Sequence, residues 1–186
     1  DAMSHIGVAR DLKAYLNFHE KLNLQIQYPK QKAVSSSKTS LEVSIEVENS
    51  ELCPSYLGTT ISNVNVKESP DWLKNKLIAI GLNPINNIVD VTNYVMHELG
   101  TPLHAFDVDS LNGKIVVKNA TEGQEFVTLD DATHKLKKNH LMITNGNQNL
   151  CIAGVFGGKK SGISKDTKNI FLECASFDPT SIRKTA

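Results

Sequence analysis

The sequence predicts a single α+β domain with layered sheets. Its first half contains the patterns of a helix, two strands and two further helices, whereas residues 114–176 hold short apolar runs separated by turn residues such as Asn145 and Gly146. A sheet with an apolar face must bury it against another layer, so this order of elements favours stacked sheets. The 186 residues are enough for one sizeable core or two small ones.

The first elements follow from local patterns. A helix is expected to begin after Ser4, which caps it, and to end near His19. Residues 41–47 alternate between apolar and polar side chains and predict a half-buried strand, and the β-branched residues in 56–66 predict a second one. The polar residues 28–40 predict an exposed loop that is locally mobile.

Two helices are predicted next. Ser69 is expected to cap the first of them, Pro70 to occupy its first turn and Gly81 to end it. The other is expected to run from Asn87 as its cap to Gly100 as its terminator, although its β-branched residues also suit a strand. The apolar residues of the first helix are spaced to form one buried stripe: Leu73, Leu77 and Ile80.

The second half of the chain is predicted to be rich in strands. A last helix is expected after Asp178 as its cap, with Pro179 in its first turn. The strands are expected in four apolar regions: 114–120, 124–130, 139–155 and 169–177.

Composition argues against several functional classes. Twenty basic and twenty acidic residues leave no net charge, so no overall field attracts nucleic acid and any RNA contact must be local. The apolar stretches are too short to span a membrane, and the first residues resemble the start of an excised domain rather than a signal peptide. Three widely spaced cysteines, Cys53, Cys151 and Cys174, favour a reducing, cytoplasmic compartment over a disulfide framework.

Metal and phosphate sites lack their usual sequence patterns. Neither pair of histidines that lie close in sequence has the helical spacing that places both rings on one metal, so we expect no metal. The stretch AGVFGGKKS fails as a phosphate loop, because Ala153 and Lys160 stand where that pattern needs a glycine and a hydroxyl. Its glycines either let the backbone approach a ligand closely or form a structural bulge: Gly154, Gly157 and Gly158.

Glu173 and His104 each allow two interpretations. Glu173 lies in the apolar stretch NIFLECASF and faces either solvent or the interior, where it must be hydrogen-bonded. An inward carboxylate without a partner would await a polar ligand group. His104 lies beside Leu103 and Phe106 and is either a satisfied core residue or part of a polar pocket. The residues alone leave these alternatives open.

Several long motifs carry a family resemblance. In chain order they are SHIGVAR, CPSY, SPDWL, NPINNIVDVTNYVMHELGTPLHAFD, AGVFGG, LECASFDP and SIRKTA, and they span nearly the whole chain. On these motifs the sequence closely resembles the B3/B4 module of the β subunits of bacterial phenylalanyl-tRNA synthetases. The resemblance implies one α+β domain over residues 1–186, cut from a longer multidomain chain. It also implies a three-layer arrangement of β-sheets with helices packed on one side.

The activity that the resemblance implies is editing, the hydrolysis of tyrosine wrongly esterified to phenylalanine tRNA. An apolar pocket rejects an added hydroxyl only about a hundredfold, whereas a polar pocket can demand that hydroxyl far more strictly. The implied partners are mischarged phenylalanine tRNA and, in a heterotetramer, the synthetase α subunit and the remaining β-chain domains. No cofactor is implied for this module; ATP and Mg are implied for the parent enzyme.

The resemblance also assigns residues to the amino-acid end of the pocket. Glu173 matches the family glutamate that recognises the tyrosine hydroxyl. Gly154 and Gly157 match glycines that line the pocket, where a side chain would block the ring.

At the ester end, Thr92 and Asn93 match a polar pair near the aminoacyl group. His104 matches the histidine beside the scissile bond, which positions water or substrate and acts only secondarily as a general base. A family segment beyond residue 186 supplies a threonine and an alanine to this pocket, so we expect the isolated fragment to be weak or inactive. The alternative function is a non-catalytic structural or RNA-contacting module of the synthetase with a degenerate pocket.

Overall fold

Two main sheets packed on each other, a short third sheet and helices beside them make up the fold. The computed structural model describes residues 3–30, 32, 41–159 and 161–186. In that part of the chain the α-helices are α1 (His5–His19), α2 (Asp71–Ala79), α3 (Asn87–Leu99) and α4 (Pro179–Thr185), and a short 3-10 helix covers Val108–Ser110. The strands are β1 (Ser44–Val47), β2 (Ser55–Ile61), β3 (His104–Asp107), β4 (Lys114–Asn119), β5 (Glu125–Val127), β6 (Thr133–Lys135), β7 (Leu141–Thr144), β8 (Asn149–Ile152), β9 (Phe156–Gly157) and β10 (Ile170–Ser176).

The described strands form three sheets. The largest has the order β1-β4-β7-β8-β9, in which β1 and β4 are parallel and the other neighbours antiparallel. The second is antiparallel with the order β2-β10-β3, and β5 pairs with β6 in a short third sheet. Helix α3 packs beside β3, and both α1 and α2 pack against α3. The predicted α+β class with layered sheets is confirmed.

The main core lies between the five-stranded and three-stranded sheets. Phe106 and Phe171 from the smaller sheet meet Ile115, Val117 and Ile143 from the larger one, and all five are almost fully buried. Because successive side chains point to opposite faces of a strand, Met142 faces the other way. It belongs to a second cluster beneath the β5-β6 pair, together with Ala120, Phe126, Leu136 and Ile152.

Several predicted helix ends are confirmed. The Ser4 side chain accepts a hydrogen bond from the Gly7 amide at 3.0 Å and caps α1. Gly100 ends α3 with a φ of 80°, a left-handed conformation that favours glycine. Asp178 caps α4 by accepting a hydrogen bond from the Ser181 amide, with Pro179 as the first helical residue.

Three details of α2 and α3 were predicted wrongly. Helix α2 begins after Pro70, and the Ser69 hydroxyl donates to Asp90 Oδ2 at 2.5 Å instead of capping the helix. Ile80 is 41% exposed, because α2 ends at the preceding residue and the predicted buried stripe does not reach it. The cap of α3 is Asn86 rather than Asn87, and it accepts from two backbone amides, each at 3.0 Å.

The remaining predictions divide between the described and undescribed parts of the chain. The strand predicted at 41–47 forms from Ser44 onward, and each of the four apolar regions of the second half contains at least one strand. The loop predicted at 28–40 lies mostly outside the described residues. None of the helices described is both long and apolar enough to cross a membrane.

Candidate functional site

Glu173 and His104 lie side by side on the three-stranded sheet. Strand β10 is the central strand, and its Glu173 pairs with His104 of β3 on one side and Gly58 of β2 on the other. Directly paired residues of neighbouring strands project from the same face. Phe171 and Phe106 share that face and belong to the core between the two sheets. The carboxyl and the imidazole therefore both project toward the interior.

Glu173 is an inward-facing carboxyl with a partner from its own chain. The residue is 6% exposed, and the Tyr56 hydroxyl donates a hydrogen bond of 2.6 Å to its Oε2 atom. Burial raises the pKa of Glu173 to about 7, and the hydrogen bond from Tyr56 opposes that rise. The solvent-facing interpretation is excluded. The carboxyl faces the interior, where the phenol of Tyr56 is already hydrogen-bonded to it.

His104 presents one buried nitrogen toward the same region. Its ring packs edge-on against Phe106 with the ring centroids 4.4 Å apart. Nε2 is inaccessible to solvent and has no hydrogen-bond partner among the described residues. Burial lowers the pKa of His104 to about 4, so the imidazole is neutral at pH 7 and its two nitrogens include one donor and one acceptor. Leaving a buried polar atom unpaired costs about 1–3 kcal/mol, which favours a ligand group that bonds to it.

Gly157 permits a close approach between the edges of the two sheets. It lies in β9, the edge strand of the larger sheet, whereas His104 lies in β3, an edge strand of the smaller one. A Cβ added at Gly157 would lie 3.1 Å from His104 Cε1 and 2.8 Å from Leu129 Cδ1. Any other residue at this position would push both side chains away.

Gly154 lies in the turn between β8 and β9 with a φ of 66°, a conformation that strains other residues. A Cβ added there would lie 2.9 Å from Ile182 Cδ1 and 3.1 Å from Phe177 Cδ2. The space over both glycines is thus occupied by side chains of the same chain. Leu129, which covers Gly157, is 51% exposed and has room to turn outward.

Thr92 and Asn93 lie on α3, the helix that packs beside β3. The Thr92 hydroxyl donates to the Val89 carbonyl at 2.7 Å, one turn earlier in the helix, and Asn93 is half-buried. Neither side chain hydrogen-bonds to His104 or Glu173 within the described residues. The structure therefore brings Glu173, His104 and Gly157 together, whereas Gly154 lies against Ile182 and Phe177, and Thr92 and Asn93 lie on α3.

Sequence reasoning did not identify the contacts made by Tyr56, Leu129 and Ile182. Tyr56 reaches Glu173 because it pairs with Ala175, which places it diagonally across from the carboxyl. Nothing in a single sequence fixes the register between two strands more than a hundred residues apart. The strand patterns around Tyr56 and Glu173 were the available signal, and they leave that register open.

Two cavities of the described structure lie away from this site. A groove of about 590 Å³ runs along Phe126 and Lys159, and a cavity of about 300 Å³ lies between α1, α2 and α3 near Tyr94. Among the described residues, no three His, Cys, Asp or Glu side chains form a group that could hold a metal ion.

Fold and site together define the class of the protein: a layered α+β domain in which a buried carboxyl and a buried imidazole on neighbouring strands face the space between the two main sheets. Matches to known proteins then place it among its relatives. The chain belongs to the B3/4 domain family, whose model matches residues 52–186.

Relatives extend the match to the whole chain. It is 51% identical over its full length to the phenylalanine–tRNA ligase beta subunit of Bacteroides fragilis and 44% identical to that of Fusobacterium nucleatum. It spans 23% of the length of each. A crystal structure of an N-terminal fragment of the Pyrococcus horikoshii phenylalanyl-tRNA synthetase beta subunit shares the fold. That structure has a TM-score of 0.56 and 16% identity, and the match covers 95% of this chain and 52% of the other. The resemblance predicted from the sequence is confirmed.

Proposed function

We propose that this domain is the editing module of a phenylalanyl-tRNA synthetase and hydrolyses the ester of tyrosine wrongly attached to phenylalanine tRNA. The parent enzyme, which attaches phenylalanine with ATP and Mg, works in the cytoplasm. In this proposal the domain acts within a heterotetramer that also contains the α subunit. Homology to the beta subunits of phenylalanine–tRNA ligases over the whole chain supports the assignment.

The observation that carries the proposal is the buried carboxyl of Glu173, which already accepts a hydrogen bond from a phenol. A carboxylate has about four lone-pair positions on two oxygens, so it can accept a second phenol beside that of Tyr56. Tyrosine supplies such a donor and phenylalanine does not. Phenylalanine in the same place would leave the carboxylate short of a partner at a cost of about 1–3 kcal/mol.

An editing site can discriminate between tyrosine and phenylalanine more strictly than the synthetic site. A synthetic pocket shaped for a phenyl ring rejects an added hydroxyl only about a hundredfold, because an apolar pocket excludes such a group weakly. A site that requires the hydroxyl removes tyrosine and spares correctly charged phenylalanine tRNA.

The ester end needs little machinery, because an aminoacyl ester is already activated. His104 is neutral at pH 7 and offers Nε2 to a water molecule or to the substrate. In this proposal it positions the attacking water, while Thr92 and Asn93 contact the aminoacyl group from α3. Neither step requires a metal or cofactor.

Binding requires a small rearrangement. Side chains of Leu129 and Ile182 lie over Gly157 and Gly154, where the ring of the amino acid is expected to lie. Leu129 is half exposed, so it can rotate into solvent without opening the main core. Once these side chains have moved, the ring of the bound amino acid fills the space that they leave.

Replacing Glu173 by alanine in the assembled parent synthetase tests the proposal. Deacylation of preformed Tyr-tRNA should slow by about 10- to 100-fold, because one hydrogen bond to a charged group is lost. Glu51→Ala is the matched control, since Glu51 is an exposed glutamate outside the site, and it should deacylate like the wild type. Phenylalanine attachment should survive both changes.

Two outcomes contradict the proposal in different ways. Wild-type deacylation by the Glu173→Ala enzyme would remove the glutamate from tyrosine recognition. Absence of deacylation in the wild-type enzyme would favour the alternative, a structural or RNA-contacting module in which Leu129 and Ile182 keep the pocket closed.

A further inference from the structure

We propose that Tyr56 is a positioning residue for tyrosine recognition: its hydroxyl holds one oxygen of the Glu173 carboxylate, so that the other oxygen is aimed at the phenol of the substrate. This inference rests on the proposed editing function and deepens it. It assigns the specificity of the site to a pair of residues rather than to the glutamate alone.

The contact has the geometry of a strong hydrogen bond. The distance of 2.6 Å between the Tyr56 hydroxyl and Glu173 Oε2 lies in the short range of O–H···O⁻ bonds, in which an ionised acceptor strengthens the interaction. Within the described residues, Oε1 accepts no hydrogen bond. One oxygen is thus committed to the protein and the other remains for a ligand.

The surroundings fix both partners. Tyr56 packs against the core between the two sheets, and its place in β2 is set by the pairing with Ala175 of β10. The Phe171 ring lies over Gly58, so close that a Cβ at Gly58 would be 1.9 Å from its Cζ atom. Because position 58 carries no side chain, β2 lies directly against that ring, and Tyr56 on the same strand reaches Glu173 Oε2.

The charge state of the carboxyl also depends on Tyr56. Among the described residues, the titratable groups that face Glu173 come from four places: Tyr56 on β2, His104 on β3, Cys151 on β8 and Cys53 just before β2. Burial raises the pKa of both cysteines, that of Cys53 to about 11, and lowers the pKa of His104, so these three are neutral at pH 7. The hydrogen bond from Tyr56 lowers the pKa of Glu173 against the effect of burial. It therefore favours the ionised form of Glu173, which accepts hydrogen bonds and donates none.

Tyr56→Phe in the assembled parent synthetase tests the inference, with deacylation of Tyr-tRNA and Phe-tRNA measured from acid to alkaline pH. The ratio of the two rates at pH 7 should fall by about 10- to 100-fold, because the carboxyl loses its orientation and part of its ionisation. The acidic limb of the tyrosine profile should move to higher pH. A residue that only packs in the core would lower both rates without moving that limb.

Tyr94→Phe is a matched control. Tyr94 also donates to a glutamate, Glu98, at 2.8 Å, but this half-buried contact lies within α3 and not at Glu173. Its loss should change neither the ratio of the two deacylation rates nor the acidic limb of the tyrosine profile. Unchanged phenylalanine attachment checks that each variant enzyme is assembled.

A second substitution keeps the inference testable if Tyr56→Phe destabilises the domain. 3-Fluorotyrosine at position 56 retains the ring and strengthens the donor, so the acidic limb should move to lower pH. These variants are compared with a Glu173→Ala enzyme that is defective in deacylation. If both variants then keep the wild-type ratio of Tyr-tRNA to Phe-tRNA deacylation and the wild-type acidic limb, the role of Tyr56 is overturned and the editing function is not. Wild-type behaviour of Glu173→Ala would overturn both.

Discussion

At the scale of single residues, burial moves the proton equilibria of the two central groups in opposite directions. The pKa of Glu173 rises to about 7 and that of His104 falls to about 4, because each group is favoured in its uncharged form away from water. Near neutral pH the site thus combines a carboxyl that is easily ionised with a neutral imidazole. That combination suits recognition of a phenol beside an ester better than it suits binding of an anion.

The raised pKa of Glu173 has a consequence for stability. Between its ordinary value of 4.5 and the folded value of about 7, the folded state holds more protons than the unfolded state. The free energy of unfolding should therefore fall by up to about 3 kcal/mol as pH rises through this window. His104 acts in the opposite sense, since its stabilisation is lost as pH falls from 6.5 through about 4.

Glu173→Gln isolates the contribution of the carboxyl. Chemical denaturation of this variant from pH 5 to pH 8 should show no such fall in the free energy of unfolding. The stability of the variant relative to the wild type should therefore increase as pH rises. Glu51→Gln removes the same charge from the surface and should track the wild type. A constant difference between wild type and Glu173→Gln across the window would contradict a raised pKa.

At the scale of elements, the central position of β10 places the site. Its pairing with β2 and β3 sets Gly58 and His104 on either side of Glu173, and no single strand could do this alone. The helices contribute from the outside: α3 carries Thr92 and Asn93 beside β3. A hydrogen bond between a residue just before α2 and α3 then holds these two helices together.

That hydrogen bond is the contact between Ser69 and Asp90. Asp90 is fully buried in α3 and accepts hydrogen bonds from the Ser69 hydroxyl and from the Ile85 amide at 2.8 Å. Ser69→Ala should lower the free energy of unfolding by about 1–3 kcal/mol, because a buried carboxyl oxygen loses its donor. Thermal or chemical denaturation measures the change.

Ser4→Ala is the comparison, since Ser4 is a true helix cap on α1. Its loss should cost about 1 kcal/mol, the typical value for a serine cap. A Ser69→Ala variant as stable as the wild type would show that the contact with Asp90 does not hold α2 and α3 together.

At the scale of the whole molecule, the elements could be predicted from the sequence better than their assembly. The caps at Ser4 and Asp178 and the terminator Gly100 act locally, so three helix ends were predicted correctly. Ser69 was assigned to the wrong role because a serine before a helix suits a cap, and only the folded chain brings Asp90 within reach. The tertiary contact with Asp90 overrode the local preference of serine for a cap position.

The same limit applies to the site. Glu173 and His104 were candidates from the sequence, but their pairing is a matter of register between distant strands. The Tyr56 contact and the packing of Leu129 and Ile182 over the glycines depend on how two sheets meet, which local patterns do not encode. Chemistry-bearing residues could be named from the sequence, whereas their immediate neighbours could not.

A crystal structure of this domain with bound tyrosine tests the central claim most directly. We expect the phenol oxygen about 2.5–3.0 Å from the free carboxylate oxygen of Glu173, with Leu129 turned outward and the Tyr56 bond retained. The backbone of the amino acid should point toward His104. A tyrosine bound elsewhere, or bound here with its hydroxyl away from Glu173, would contradict the claim that this acid selects the phenol.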